Sequence, residues 1–410
     1  MSAPPHTRAG RHHPPLSRAW AIVGALSVTE TVSWGILYYA FAVFLLPMRS
    51  GLGFSTAELT GAFSLALLIS GIAGIAVGRY LDGRSPRALM TAGSVAGVLL
   101  VLAWSRIEGL AAFYALWAGI GLVMATVLYE PAFVVLAKWF PAAGQRRQAL
   151  TALTLVAALA SFIFLPLSQA LIDANGWRDA LVILAVILAA ITVPIHAFVL
   201  RRAPEPQPDA HREAPSTSAA EALRSAAFWL LSAAFFLATL TGIAMTVHAV
   251  PYLVERGYSA PFAAFAVGLV GVSQIPGRVL FAALGGRLPA AWATAGVFAL
   301  IALGIALLVS VHGTAAAIAA LVLLGMGNGM STLSRATLIA DRYGASAYGT
   351  IGGVAAFFTT GARAAGPVAA AVYAAGFGYT TLLWTLAALA LAAAVLAFRA
   401  ETLMSDVSLS

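Results

Sequence analysis

Four formally charged residues fall deep within long apolar stretches of this chain, away from their ends: Glu30, Glu130, Arg278 and Arg363. A charge at membrane depth costs about 2.5–3.5 kcal/mol even on the gentlest scale, so each must meet a partner or a water-filled cavity. The planar fork of an arginine is shaped for a carboxylate, and a carboxyl group in such a place can gain or lose a proton as its surroundings change. Tyr38, Tyr39 and Tyr129 add hydroxyl donors, and Asn328, in Gly327-Asn328-Gly329, adds an amide. Two arrangements suit these types. The arginines hold an anion, with Glu30 or Glu130 as proton carriers, or the two acids neutralise Arg278 and Arg363 as structural ion pairs. The arrangements are compatible, since an incoming anion can displace an acid from its arginine. Tyrosines at helical spacing also serve plain packing.

Other chemistry finds no residues. No cysteine is present, which removes disulfides, thiolate metal sites and cysteine nucleophiles. Neither HExxH, GxSxG nor a Walker glycine loop occurs, so a protease, a hydrolase or an ATP-driven pump has no motif to rest on. His196 and His248 fall near span ends and read as peripheral. No cofactor or metal is expected.

The elements that must position the four charges follow from composition. With 61% hydrophobic and 9% charged residues, a 410-residue particle cannot cover itself with polar surface, and the bilayer must supply the remaining solvent. Apolar runs fall near 19–46, 58–80, 88–105, 110–137, 149–172, 180–200, 227–253, 262–284, 291–311, 315–338, 350–374 and 380–398. Each suits the ~20 residues that cross ~30 Å of hydrocarbon, and none shows the two-residue alternation of a barrel strand. The reading is an all-α membrane protein of about twelve transmembrane helices.

The net charge of +8 sits in the loops rather than along one face, which speaks for membrane topology and against nucleic acid. Seventeen of the 23 basic residues fall on the side of the termini, which predicts cytoplasmic termini in a bacterial-type inner membrane. Residues 1–18 lack the short apolar core and cleavage site of a signal peptide and read as a cytoplasmic tail. Residues 201–224, RRAPEPQPDAHREAPSTS and its continuation, read as a flexible cytoplasmic linker between six-helix halves at 19–200 and 225–399, with a tail at 400–410. The halves echo each other: Pro166 precedes Gly176-Trp177-Arg178 in the first, and Pro367 precedes Gly376-Phe377-Gly378 in the second.

After the second run comes Gly78-Arg79-Tyr80-Leu81-Asp82-Gly83-Arg84-Ser85-Pro86-Arg87. Together with the two-halves layout, it resembles the cytoplasmic loop motif of the major facilitator superfamily, with Gly83 and Ser85 departing from the usual pattern. The resemblance covers nearly the whole chain. It implies two pseudo-symmetric six-helix bundles moving by alternating access, and a central cavity lined by spans one, four, seven, eight, ten and eleven, which carry all four intramembrane charges. Gly78, Asp82, Arg84 and Arg87 then form a conformational gate: the glycine permits close helix approach, and the charges make contacts that break as the protein opens. Simple enforcement of orientation is the other reading of these charges.

Within that superfamily, Ser33-Trp34-Gly35-Ile36-Leu37-Tyr38-Tyr39-Ala40-Phe41-Ala42-Val43-Phe44 is similar to the first helix of the monocarboxylate porter family. Gln274-Ile275-Pro276-Gly277-Arg278 resembles its eighth, where an arginine binds the substrate carboxylate and an aspartate one turn earlier takes part in proton coupling. Arg278 fills the first place, while Gln274 stands in the second. The resemblance implies a secondary transporter of a small organic anion, a monocarboxylate, and carries carboxylate binding over better than proton coupling, so that protons as coupling ions rest on Glu30 or Glu130; a monomer is expected. Efflux of an amphipathic organic compound is the alternative, although Phe162-Ile163-Phe164-Leu165-Pro166-Leu167 lacks the glycines typical of drug antiporters. A transporter-like receptor or membrane enzyme would need an added soluble domain or a catalytic constellation.

Overall fold

The computed structural model describes residues 16–140, 143–201, 223–284 and 290–409, and among these it is helical throughout apart from short joints. The expected linker lies almost wholly outside the described residues, as do most of the N-terminal tail and Arg287. The helices are α1 (Leu16–Trp34), α2 (Ala40–Leu52), α3 (Thr56–Gly83), α4 (Pro86–Trp104), α5 (Leu110–Val127), α6 (Tyr129–Trp139), α7 (Ala143–Ala157), α8 (Leu159–Pro194), α9 (Ala226–Glu255), α10 (Ala260–Leu284), α11 (Ala290–Ser310) and α12 (Thr314–Leu409).

Crossings and helices do not correspond one to one. Ten stretches among the described residues are long and apolar enough to span a bilayer, and two of them are double length: Gln148–Val199 and Phe358–Ala400. At 1.5 Å per residue these would reach about 78 and 65 Å, more than twice the hydrocarbon thickness. Each is broken by a glycine in a left-handed conformation, Gly176 at φ 77° and Gly378 at φ 80°, where a side chain would be strained. One crossing on either side of each glycine brings the total to twelve. The backbone equivalent of Gly176 is therefore Gly378, two residues beyond the Gly376 that the sequence echo suggests. Gly53, Gly257 and Gly313 also have positive φ, and all five fall on the face opposite the termini.

Local chemistry explains several helix ends. Ser55 and Glu58 make a reciprocal capping box at the start of α3, with the Ser55 N–H donating to Glu58 Oε2 at 2.8 Å. Ser85 caps α4, with Pro86 pre-set for its first turn, and Ser225 Oγ accepts from Phe228 N–H at 3.1 Å to start α9. Two joints depart from the expected unbroken spans. Span one passes through a π-helical turn at Gly35–Tyr39, and span four stops at Leu128 (φ −93°, ψ −163°) before restarting as α6. Pro131, in the first turn of α6, has no N–H to continue the hydrogen-bond ladder from α5, and supplies the cause of the break.

The N-terminal half packs an aromatic core in which Phe41 stacks on Phe63 at 4.5 Å and Trp117 meets Phe41 and Trp104 edge-on at 5.0 and 4.9 Å. The core of the C-terminal half is rich in alanine, and glycines let its helices approach closely. Span eight meets span ten where a Cβ added at Gly325 would lie 2.9 Å from the Val270 Cα and one at Gly277 would lie 2.7 Å from the Met326 Cα. Between the halves, span five packs on span eight and span two on span eleven. The first seam is tightened by Ser161 Oγ donating to the Gly268 carbonyl at 3.2 Å.

Candidate functional site

Span one brings the aromatic residues together. Its π turn follows Trp34, whose ring lies 4.9 Å from Tyr38, 6.3 Å from Tyr39 and 4.9 Å from Tyr129 across on α6. Tyr38 and Tyr39 meet edge-on at 5.0 Å, and Tyr129 stacks on Phe133 at 5.2 Å. A single extra residue in a helical turn rotates everything after it, so Tyr38 and Tyr39 turn inward side by side. Gly35 allows this: a Cβ there would collide with the Phe164 ring of span five.

A cavity with about 440 Å³ of empty volume, its mouth included, opens beside Tyr39. Its walls include Thr246 of span seven, Gln274 of span eight and Asn328 of span ten, together with apolar Leu165, Val267 and Leu324. Arg278 lies one helical turn beyond Gln274, half-buried, and its Nη2 donates to Gln274 Oε1 at 3.3 Å while its Nε has no partner. The field of Arg278 reaches Tyr39 and Tyr129, and that of Arg363 reaches Tyr38 and Tyr39. Arg363 itself is exposed. Of the expected site residues, Tyr39 and Asn328 line this cavity, and Arg278 adjoins it through Gln274, whereas Tyr38, Tyr129 and Arg363 are not on its wall.

Neither acid lines this cavity. Glu30 is completely buried and neither carboxylate oxygen has a hydrogen-bond partner. Trp34, one turn along the same helix, lies beside it, but its buried Nε1 is also outside bonding geometry. Glu130, in the first turn of α6, is exposed and lies close enough to act on Glu30 electrostatically. No ion pair joins either acid to Arg278 or Arg363, so the structural pairing that the sequence allows is absent in this conformation.

An added Cβ at Gly78 would have no atom within 4 Å, which corrects the expectation of a close helix approach there. Arg84 is exposed and lies over the Tyr80 ring at 4.9 Å, and Arg87 is exposed at the start of α4. The side chain of Asp82 lies outside the described residues. A contact the sequence did not suggest joins this region to span four: Lys138 Nζ donates to the Leu81 carbonyl.

Both buried histidines are held by the fold. His248 Nε2 lies 2.9 Å from the Pro367 carbonyl and must donate to it, which leaves Nδ1 to accept from the Tyr379 hydroxyl at 3.1 Å. His196 Nδ1 meets Ser94 Oγ at 2.7 Å and the Met90 carbonyl at 3.2 Å. Among the described residues there is no cluster of three metal-ligating side chains. Trp34 and Gln274 are the site members to which sequence reading assigned no binding role, and the signal for Trp34 was its place four residues after Glu30.

Comparison with known proteins bears on this arrangement. The Major Facilitator Superfamily pattern matches residues 26–367. The chain is 26% identical over 233 residues to the "Oxalate:formate antiporter" of Oxalobacter formigenes, a stretch that is 54% of this chain and 53% of that protein. It is likewise 26% identical over 171 residues, 41% of each chain, to the "Uncharacterized MFS-type transporter YcxA" of Bacillus subtilis (strain 168). The match therefore spans about half, or less, of these curated relatives. In fold, the chain is similar to a bacterial homologue of the human lysosomal transporter Spinster in its inward-facing, unoccupied conformation, with TM-score 0.78, 15% identity, and 95% and 98% of the two chains covered. For the occupied conformation of such a homologue the TM-score is 0.73 at 14% identity, with 94% and 97% covered. Two six-helix halves, a cavity between them and a sequence pattern running through both place this chain in the Major Facilitator Superfamily of membrane transporters.

Proposed function

We propose that the protein moves a small organic anion, a monocarboxylate, across a bacterial inner membrane by alternating access, coupled to protons. The observation that carries this reading is Arg278, whose Nη2 is held by the neutral amide of Gln274 while its Nε is unpartnered and, among the described residues, no acid neutralises it. A guanidinium in a low-dielectric site is satisfied best by a bidentate carboxylate, with Tyr39, Tyr129 and Arg363 in electrostatic range. The printed function of the Oxalobacter formigenes relative, an exchanger of two carboxylates, agrees with this chemistry. Apolar Leu165, Val267 and Leu324 favour a substrate with a hydrocarbon portion beside its carboxylate.

Glu30 and Glu130 are the acids through which protons would travel, and the cytoplasmic termini and the monomeric state belong to the same proposal. Uptake of a panel of labelled carboxylates into proteoliposomes, with and without an inward proton gradient, tests it. Gradient-driven accumulation of at least one monocarboxylate, lost in Arg278→Ala, is expected. Accumulation of uncharged or cationic compounds with carboxylates excluded would overturn it.

A further inference from the structure

We propose that the Tyr129 hydroxyl is the proton relay between the cavity beside Tyr39 and Glu30, with the Trp34 indole as a lid over that carboxyl group. This rests on the proton-coupled reading above and names its route.

Glu30 is sealed: its side chain has no exposure and neither oxygen meets a donor. A carboxyl group in such a place carries a charge only at large cost, so it requires either a proton or a donor. The groups that face it are few. Trp34 follows one turn on along the same helix with its N–H buried and unpartnered, and Tyr129 and Glu130 come from the first turn of α6. Thr31, the next residue, is already committed to the Ser27 carbonyl at 2.8 Å and to the Val156 carbonyl of span five at 3.3 Å.

Of these, Tyr129 carries a hydroxyl and meets Trp34 from the neighbouring helix. It is half-buried, its ring packs 4.9 Å from Trp34, and it lies within electrostatic range of both Glu30 and Arg278. Two backbone irregularities meet here, the Gly35–Tyr39 π turn directly after Trp34 and the break at Leu128 directly before Tyr129. Each loosens the helix that holds one of the two rings.

The transfer balances without a co-reactant. A hydronium ion in the cavity gives a proton to the Tyr129 oxygen as the hydroxyl proton passes to a Glu30 carboxylate oxygen, leaving water, intact tyrosine and a neutral acid. In reverse, the indole N–H of Trp34 is the donor available to the ionised carboxylate once the proton has left.

Infrared spectroscopy of the purified, monodisperse protein tests this without a substrate, with heavy water as the probe. A protonated-acid C=O band removed by Glu30→Gln is expected, and its shift on transfer to heavy water times the exchange of that proton. Tyr129→Phe should slow this exchange at least tenfold, and Trp34→Ala should accelerate it at least tenfold. Rates within twofold of the parent in both variants would overturn the relay, as would the absence of any band assignable to Glu30. Proton-driven uptake in proteoliposomes is measured separately, so a failure of the transport reading is seen there and a failure of the relay in the exchange rates.

Discussion

Gln274 Oε1 accepts from Arg278 Nη2 at 3.3 Å across one turn of span eight, so a neutral amide holds the guanidinium where the monocarboxylate porter pattern has an aspartate. A neutral partner positions the fork without cancelling its charge, and full attraction remains for an incoming anion. An acid at the same place would make an ion pair that the substrate must first break. Gln274→Glu is therefore expected to weaken anion binding by about tenfold or more, roughly 1.4 kcal/mol, measured by substrate-induced fluorescence or calorimetry. Unchanged affinity would mean that Arg278 is not the anion's partner.

Arg278→Lys should fail nearly as badly as Arg278→Ala. An ammonium keeps the charge but loses the planar pair of donors, and its shorter reach takes it away from Tyr39 and Tyr129. Full transport by the lysine variant would point to simple charge attraction in place of bidentate recognition.

The acids separate by environment. Glu30 is buried without a partner, whereas Glu130 is exposed. Glu30→Gln should abolish proton-driven accumulation while gradient-free exchange persists, and Glu130→Gln should have the smaller effect on accumulation. Accumulation against a gradient by both variants would leave the proton without a route through these acids.

Glycine substitutions should sort by what their new methyl meets. At Gly271 a Cβ would lie 2.5 Å from the Ala158 carbonyl oxygen on span five, so Gly271→Ala should force the seam between the halves apart and lower the apparent Tm in detergent. At Gly78 nothing lies within 4 Å, and Gly78→Ala should leave that Tm unchanged. The opposite ranking would show that the packing at the two glycines had been misread.

Two arginines on the face opposite the termini are occupied at helix ends. Arg178 Nη1 donates to the Ser105 and Ile107 carbonyls at 2.9 and 3.2 Å, just past the end of α4, and lies over the Trp177 ring at 4.4 Å. Arg256 Nη1 reaches the Val309 carbonyl at 3.3 Å at the end of α11. Cations at carbonyl-rich helix ends are favourable, and hydrogen bonds from a charged donor are worth about 1.5–3 kcal/mol where part-buried. Arg178→Gln should lower the apparent Tm by a few degrees with little change in substrate affinity.

The twelve crossings were legible because apolar length alone dictates them, and the four intramembrane charges because a lone charge in hydrocarbon needs a reason. What stayed hidden depends on backbone phase. The Gly35–Tyr39 π turn leaves no mark in composition, yet it decides that Tyr38 and Tyr39 meet Trp34. Pro131 was a readable warning of the break at Leu128, but span four was read as continuous because its hydropathy never falls. The choice between paired and unpaired charges turns on distances, and no periodicity encodes them. At the eleven-twelve turn the echo was two residues out of register, since Gly376 and Gly378 both suit a turn and only φ distinguishes them.

The left-handed glycines at 176 and 378 have a mechanical consequence. A turn that tight fastens span five to span six, and span eleven to span twelve, as helical hairpins. Spans five and eleven each press on the opposite half of the molecule. When the halves rock, each hairpin swings as one lever, and its second arm moves through lipid. Bilayer thickness and lateral pressure thereby enter the energy difference between the two end states, so the turnover of this protein should respond to acyl-chain length even where no lipid binds to a specific site.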